Sequence, residues 1–151
     1  MTIRLYTEAD KAACMAIFDS NMPQYFVAYE RQQFEDWLDK KDRETYQVIV
    51  DNDQTVACGG IYEDTELKLV GLSWGMVLNN LHKKGYGKAL TLYRIKEMED
   101  RFSHYDQHLG TSQYTAPFYE KMGFTTTEII KDGFGPGLDH YKMMRKATVS
   151  R

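Results

Sequence analysis

The alternation of hydrophobic and polar positions in the first forty residues predicts a short strand followed by two helices. Residues 3–7 alternate apolar with polar side chains, as a half-buried strand does. Thr7 and Asp10 have the spacing of a capping box, which indicates the start of a helix. The apolar stripe of this helix consists of Ala9, Ala13, Ala16 and Ile17. After an aromatic-rich loop at 20–30, apolar residues at helical spacing indicate a second helix: Phe34, Trp37 and Leu38.

The middle of the chain changes to the two-residue period of strands. Segments 46–50 and 55–63 flank the turn-forming residues DNDQ, so we expect an antiparallel hairpin there. A longer strand at 67–78 follows. Gly71 and Gly75 are candidate positions for a bulge in this strand, because glycine often marks a local irregularity in strand pairing.

The last third of the chain alternates between helical and strand patterns. We expect a helix at 85–102, a strand at 107–112 and a short helix at 115–122. Strands at 124–130 and 138–145 enclose a turn that is rich in Gly and Pro. The resulting order, β α α β β β α β α β β, predicts an α/β fold with a mixed α+β sheet rather than strict βαβ alternation.

Length, charge and cysteine content restrict the classes of partner. With 151 residues, 42% of them hydrophobic, the chain is predicted to form a single domain over 1–151. The net charge of −3 argues against broad binding to nucleic acid or to an anionic membrane. Cys14 and Cys58 lack metal-site spacing and form no disulfide framework. No segment reads as a signal peptide or membrane span, so we expect a cytoplasmic protein without a metal.

Residues 81–90, LHKKGYGKAL, contain a glycine loop that precedes a helix. A P-loop requires G-x-x-x-x-G-K-[ST], but His82 and Ala89 occupy its first and last positions. A dinucleotide fingerprint requires a third glycine where Leu90 stands. Two interpretations remain. The segment is either a plain glycine turn with solvated lysines, or a cradle in which small residues let phosphate groups approach the backbone amides of a helix start.

The strand before this loop carries a family resemblance. From Val77 the chain reads VLNNLHKKGYG and resembles V-x-P-x-x-[RQ]-x-x-G-x-[GA], the signature of the GNAT superfamily of acetyl-CoA-dependent N-acetyltransferases. Asn79 replaces the usual Pro, and His82 replaces the usual Arg or Gln. Residues 111–124, TSQYTAPFYEKMGF, resemble a later motif of the same family, with Gln113 in the usual Asn position. The two motifs come in the family's order, and the resemblance covers essentially the whole chain.

The resemblance implies a mostly antiparallel central sheet of six to seven strands, splayed between the fourth and fifth, with about four flanking helices. It also implies acetyl-CoA as co-substrate. The pantetheine arm would pair with the backbone at 76–78, and the diphosphate would meet the amides of 83–88. The residues implied in binding it are Met76, Val77, Leu78, His82, Lys83, Lys84, Gly85, Tyr86, Gly87, Lys88, Gln113 and Phe118.

Acetyl transfer to an amine requires a neutral amine, a polarised thioester carbonyl and a proton for the departing thiolate. A backbone N–H near Val77 is expected to polarise the carbonyl. Tyr119 stands where many relatives carry the tyrosine that protonates the thiolate, although helical spacing alone would make it a core aromatic. No base is assigned. The position that carries a glutamate in some relatives is Gly71, and the nearby carboxylates at 63–66 suit a solvated turn equally well.

The amine acceptor is implied to lie against the first two helices, their connecting loop and the last hairpin, at 131–140. Aromatic residues in these regions can pack against an apolar or cationic group, or can simply anchor a buried loop. The candidates in these regions are Tyr25, Phe26 and Tyr29. Trp74, on the strand predicted at 67–78, is a further candidate that either packs in the core or forms a wall of the cleft.

Two hypotheses of function follow from these observations. The first is an N-acetyltransferase that acetylates the primary amine of a small molecule or a protein. The alternative is a CoA-binding sensor or interaction domain on the same fold, which Gly71 and His82 keep open because each departs from the catalytic pattern. By analogy with the family, a homodimer is possible.

Overall fold

The computed structural model describes residues 1–40 and 45–148, and it contains all of the predicted helices and strands. The strands are β1 (Thr2–Leu5), β2 (Tyr46–Asp51), β3 (Gln54–Asp64), β4 (Leu69–Val77), β5 (Asp106–Thr111), β6 (Thr125–Gly135) and β7 (Leu138–Arg145). The helices are α1 (Lys11–Ser20), α2 (Glu30–Leu38), α3 (Tyr86–Arg101) and α4 (Ala116–Lys121).

A hydrogen-bonded turn displaces the start of α1 from the position that the sequence suggests. Residues Glu8–Asp10 form a 3-10 turn, and Thr7 and Asp10 make the predicted capping box around it. The Asp10 carboxylate accepts hydrogen bonds from the Thr7 backbone N–H at 2.8 Å and from Arg4 at 2.8 Å. Because these contacts fix the turn, the regular α-helix begins only at Lys11.

Seven strands form one sheet in the order β1-β2-β3-β4-β5-β7-β6. Every neighbouring pair is antiparallel except β4 and β5, which are parallel. Within the described residues, β4 and β5 pair at three positions, where Leu69–Gly71 lies beside Asp106–His108. The prediction of a mostly antiparallel sheet, splayed between its fourth and fifth strands, is therefore confirmed.

One of the two predicted bulges in β4 is present. Between the pairs Cys58–Met76 and Gly60–Ser73, β4 contains one residue more than β3. The bulge therefore lies at Trp74 and Gly75, where Trp74 adopts a left-handed conformation with φ +43°. The prediction of a bulge at Gly71 was wrong, because this residue pairs regularly with Tyr62.

The sheet separates the buried side chains into clusters on its two faces. One cluster joins α1 and α2 to β2, β3 and β4, and Phe18, Phe34 and Tyr46 are its largest members. Another joins α3 and α4 to β4 and the C-terminal strands. Buried side chains therefore pack against both faces of β4 as far as the point where it separates from β5. Of the helices described, none is long and apolar enough to cross a membrane.

Candidate active site

The divergence of β4 from β5 opens a cleft in the middle of the sheet. Beyond Gly71 the two strands separate, and a cavity of about 750 Å³ lies between Leu72–Val77 on one side and Leu109–Thr111 on the other. The loop before α3, the first half of α3, and α4 close it on one face. The loop after α1, from Asn21 onward, and the start of α2 close it on the other. A cavity of this size can hold a substantial small molecule.

The end of β4 directs backbone groups into this cleft. The Leu78 N–H donates to the Val56 carbonyl on β3 at 2.8 Å, so the backbone groups of Val77, one residue earlier, point toward the open side. There the Val77 carbonyl accepts hydrogen bonds from Asn21 Nδ2 at 2.9 Å and from His82 Nε2 at 3.0 Å. These two bonds join α1 and the glycine loop to the end of β4.

The first turn of α3 presents unpaired amides at the mouth of the cleft. The first intrahelical bond runs from the Ala89 N–H to the Gly85 carbonyl, which leaves the N–H groups of residues 86–88 without intrahelical partners. Gly85 has φ +90° and open space around it. A Cβ atom on Gly87 would lie 3.6 Å from Val77 and 3.8 Å from Phe118, so its absence leaves room for a ligand.

Most of the residues that the sequence implied in cofactor binding line this cavity. They are Met76, Val77, His82, Lys83, Gly85, Gly87, Lys88 and Phe118. Four others lie outside the lining: Leu78, Lys84, Tyr86 and Gln113.

Three of these four residues have contacts elsewhere. Leu78 packs against the cluster around α1 and α2. The Tyr86 hydroxyl donates to Asp51 at 2.6 Å, away from the cleft. The side-chain amide of Gln113 donates to the Gly137 carbonyl at 2.8 Å and accepts from the Asp139 N–H at 2.9 Å, and these bonds connect the segment between β5 and α4 to the last hairpin.

Tyr119, the residue suggested as proton donor, lies in the wall of the cleft on α4. Its ring packs edge-on against Phe118 at 5.1 Å and against Phe124 at 6.1 Å, measured between ring centroids. These contacts fix the orientation of the ring. Among the described residues its hydroxyl has no hydrogen-bond partner.

Aromatic residues form the opposite wall, on the side of α1 and α2. Phe26 stacks on Trp74 with centroids 6.4 Å apart, and Tyr25 meets the His82 ring edge-on at 5.3 Å. Phe134 of the last hairpin also lines the cavity. Tyr29 lies outside the lining and is 58% exposed; its hydroxyl donates to the Phe134 carbonyl at 2.7 Å.

Sequence reasoning missed two charged residues of the cavity, Glu30 and Arg94. Glu30, the first residue of α2, is 7% exposed, and burial raises the pKa of its carboxyl above the ordinary value. Arg94 of α3 is 1% exposed and lies under the β4 bulge, where the absent Cβ of Gly75 leaves space for its guanidinium. Its Nη1 donates one long hydrogen bond, 3.4 Å, to the Gly60 carbonyl, and its Nε has no partner among the described residues.

Metal-binding geometry is missing from the part of the chain that the structure describes. No group of three or more His, Cys, Asp or Glu side chains comes together there. The histidines His82 and His140 instead contact carbonyl or aromatic groups.

Comparison with known proteins connects this geometry to a family. Residues 14–124 match the model of the acetyltransferase (GNAT) family, which is more than half of the chain. The chain belongs to the GNAT family. A comparison of this GNAT sequence with curated proteins yields no match.

Solved structures share the fold of this GNAT chain at low sequence identity. The ribosomal-protein-alanine N-acetyltransferase of Brucella melitensis is 21% identical, with a TM-score of 0.77 over 97% of this chain and 99% of its own. The ribosomal-protein-S18-alanine N-acetyltransferase of Escherichia coli is 18% identical, with a TM-score of 0.79 over 99% and 96%. An aminoglycoside 6'-N-acetyltransferase complexed with coenzyme A is 17% identical, with a TM-score of 0.77 over 100% and 99%.

Proposed function

We propose that this protein is an acetyl-CoA-dependent N-acetyltransferase that acetylates a primary amine of a small molecule or a protein in the cytoplasm. The observation that carries the proposal is the cleft between β4 and β5. The amides at the start of α3 and Tyr119, whose hydroxyl has no hydrogen-bond partner among the described residues, both border this cleft, and an aromatic wall lies on its other side. The family and the CoA complex of one structural relative support the same donor.

The glycine loop has the chemistry that a diphosphate requires. The amides of residues 86–88 carry the positive end of the helix dipole, and Gly85 and Gly87 leave them accessible. Lys83 and Lys88 line the cavity beside them and attract negative charge. We infer that the diphosphate of acetyl-CoA binds here, with Lys84 contributing attraction from the surface.

The backbone at the end of β4 would bind the pantetheine arm as an added strand. Since the backbone groups of Val77 face the open side of the strand, its N–H is available as a donor. In that position it would orient the thioester carbonyl and withdraw electron density from it. The Tyr119 hydroxyl would protonate the departing sulfur from the α4 side of the cleft.

A non-catalytic CoA-binding domain is the second candidate, and one observation favours it. β4 has no carboxylate that could act as a base. At Gly71 a Cβ atom would lie 2.4 Å from the Tyr62 ring, so a glutamate could enter this position only if Tyr62 moved. An alkylamine is protonated at pH 7, so without a base the formation of the neutral amine costs about 4–5 kcal/mol.

Release of the CoA thiol from acetyl-CoA in the presence of a panel of primary amines distinguishes the two functions. An acetyltransferase releases thiol only when an acceptor is present and forms one acetylated amine per thiol. Tight CoA binding with no amine-dependent release would instead support the binding domain. Stabilisation by ATP but not by CoA would contradict both.

A further inference from the structure

Glu30 is the one carboxylate that lines the cavity, among the residues that the structure describes. It begins α2, on the wall that also contains Phe26 and Trp74. Its Oε1 accepts a hydrogen bond from the Val27 N–H at 3.1 Å, which holds the side chain against the preceding turn. Its Oε2 has no hydrogen-bond partner within the described part of the chain, and this oxygen is therefore available to a ligand.

The surroundings of Glu30 suit a cationic amine. Tyr25, Phe26, Trp74 and Phe134 line the same cavity and offer aromatic faces to a cation. An amine placed among them would meet a buried carboxylate on one side and the cleft between β4 and β5 on the other. Burial strengthens the attraction between this carboxylate and a positive charge, because little water screens it.

Other charges near Glu30 do not neutralise it. The basic residues that line the cavity are His82, Lys83, Lys88, Arg94 and Lys121, and none forms an ion pair with Glu30 in the described structure. On the adjoining helices the charged side chains pair among themselves, as Arg31 with Asp19 and Lys11 with Glu35 and Asp39. The effect of burial on Glu30 therefore exceeds that of its hydrogen bond with Val27 and raises the pKa of its carboxyl, which makes it a stronger base.

We propose that Glu30 is the general base of the reaction, and that the acceptor is an alkyl primary amine that arrives as an ammonium ion. This inference rests on the proposed acetyltransferase function and supplies the base that β4 lacks. It also narrows the acceptor class to cationic amines that fit between the aromatic wall and the cleft.

The proton inventory of the reaction balances with these groups. Glu30 removes one proton from the ammonium, and the neutral nitrogen attacks the thioester carbonyl carbon. The new C–N bond replaces the C–S bond, and the sulfur takes a proton from the Tyr119 hydroxyl. The second proton lost by the nitrogen restores the tyrosine, and Glu30 releases its proton to water. One ammonium and one acetyl-CoA thus give one amide, one CoA thiol and one proton.

The test compares Glu30→Gln with Glu35→Gln, a control on the outer part of the same helix. Glutamine can still accept the hydrogen bond from Val27, so the substitution retains the contact that orders the turn. In wild type, kcat/KM for an alkylamine should fall as pH decreases and Glu30 becomes protonated. Glu30→Gln should lower this value about 100-fold or more at neutral pH and abolish the acid limb, while Glu35→Gln should leave both unchanged.

An arylamine, which is largely neutral at the same pH, separates proton removal from a structural role. With this acceptor, Glu30→Gln should retain activity to within roughly threefold of wild type, because no base is needed. Equal losses with alkylamine and arylamine would overturn the assignment, as would an unchanged acid limb. His82→Gln is a second variant, because His82 also lines the cavity beside the aromatic wall. Loss of the acid limb in His82→Gln, with the limb retained in Glu30→Gln, would also overturn the assignment.

Failure of this inference differs from failure of the proposed function. If the wild type acetylates amines and Glu30→Gln is equally active, only the role of Glu30 is wrong. If the wild type binds CoA and releases no thiol with any amine, the acetyltransferase function is wrong, and the base with it. Titration of both proteins with CoA verifies in each case that the variant is folded and binds the donor.

Discussion

Arg94 is a buried charged residue that also lines the cavity, so we expect it to affect stability and ligand binding in opposite directions. Its guanidinium is almost completely buried and has one long hydrogen bond, which does not compensate the loss of hydration. Its remaining donors lie beside the cavity, where the amide carbonyls of a pantetheine arm would be suitable acceptors.

We therefore expect Arg94→Met to separate the two properties. The free energy of unfolding should stay unchanged or rise by roughly 1–2 kcal/mol, because methionine fills similar volume without a buried charge. The KM for acetyl-CoA should rise about tenfold or more, since a charged hydrogen bond contributes about 1.5–3 kcal/mol. Urea unfolding and steady-state kinetics measure the two effects. Arg101→Met, on the exposed end of the same helix, is the control, and a large loss of stability with unchanged KM would refute this view of Arg94.

Tyr119→Phe tests the proton donor without changing the packing of the ring. Phenylalanine preserves the contacts with Phe118 and Phe124, so the protein should remain folded. We expect kcat to fall about 100-fold or more and the KM for acetyl-CoA to stay within a factor of about two. Tyr93→Phe on the exposed face of α3 is the matched control. An unchanged kcat across pH would exclude Tyr119 as the acid.

The buried charged residues of the cavity, Glu30 and Arg94, could not be predicted from the sequence. In a hydrophobic pattern, Glu30 and Arg94 occupy positions that a solvated helix face would also allow. Arg94 is buried because Gly59 and Gly75, distant in the chain, leave space opposite α3. That space depends on how β3, β4 and α3 pack against one another, and local sequence patterns do not predict this packing. Tyr119 and the glycine loop could be proposed from the sequence because their motifs are contiguous in it.

Among the elements, the start of α3 is both a helix terminus and part of the cavity lining. Glycine is a poor helix former, and a Cβ atom on Gly87 would meet its neighbours at ordinary contact distances of 3.6–3.9 Å. The glycine is therefore not required by the packing of the protein itself. Its absent side chain instead keeps the first-turn amides accessible.

Gly87→Ala should accordingly stabilise the protein and weaken donor binding. We expect the free energy of unfolding to rise by up to about 1 kcal/mol, as helix propensity predicts, and the Kd for CoA to increase about tenfold. Calorimetric titration with CoA and thermal unfolding measure these effects. Lys96→Ala, farther along the exposed face of the same helix, controls for a general change in α3. Unchanged CoA affinity would show that the diphosphate does not approach this turn.

Element positions followed from sequence periodicity to within a few residues for most of the fold. The largest difference is β6, predicted to end at 130 and observed to continue to Gly135. Its pairing with β7 is interrupted between Ile130 and Gly135, so the strand extends through an irregular stretch that resembles a turn in sequence. The splay between β4 and β5 came only from the family resemblance, because periodicity carries no information about where two strands separate.

In the whole molecule, the two halves of the sheet are joined, within the described residues, by three β4–β5 residue pairs, and the cleft lies beyond them. A donor that spans the cleft should therefore stabilise the folded state as a whole. At a CoA concentration 100 times its Kd, the expected stabilisation is about 2.7 kcal/mol, which corresponds to a Tm increase of roughly 5–10 °C. Differential scanning fluorimetry with CoA, and with ATP as control, measures this shift. Equal stabilisation by ATP would contradict specific recognition of the pantetheine arm.

The most direct test of the central claim is acetyl transfer by the purified wild-type protein. Thiol release from acetyl-CoA should depend on an added alkyl primary amine, and mass spectrometry should find one acetyl group on that amine for each thiol released. The Tyr119→Phe protein should bind CoA and release thiol at a small fraction of the wild-type rate. Tight binding of CoA without amine-dependent thiol release, across small-molecule and peptide amines, would contradict the account and leave a CoA-binding domain in its place.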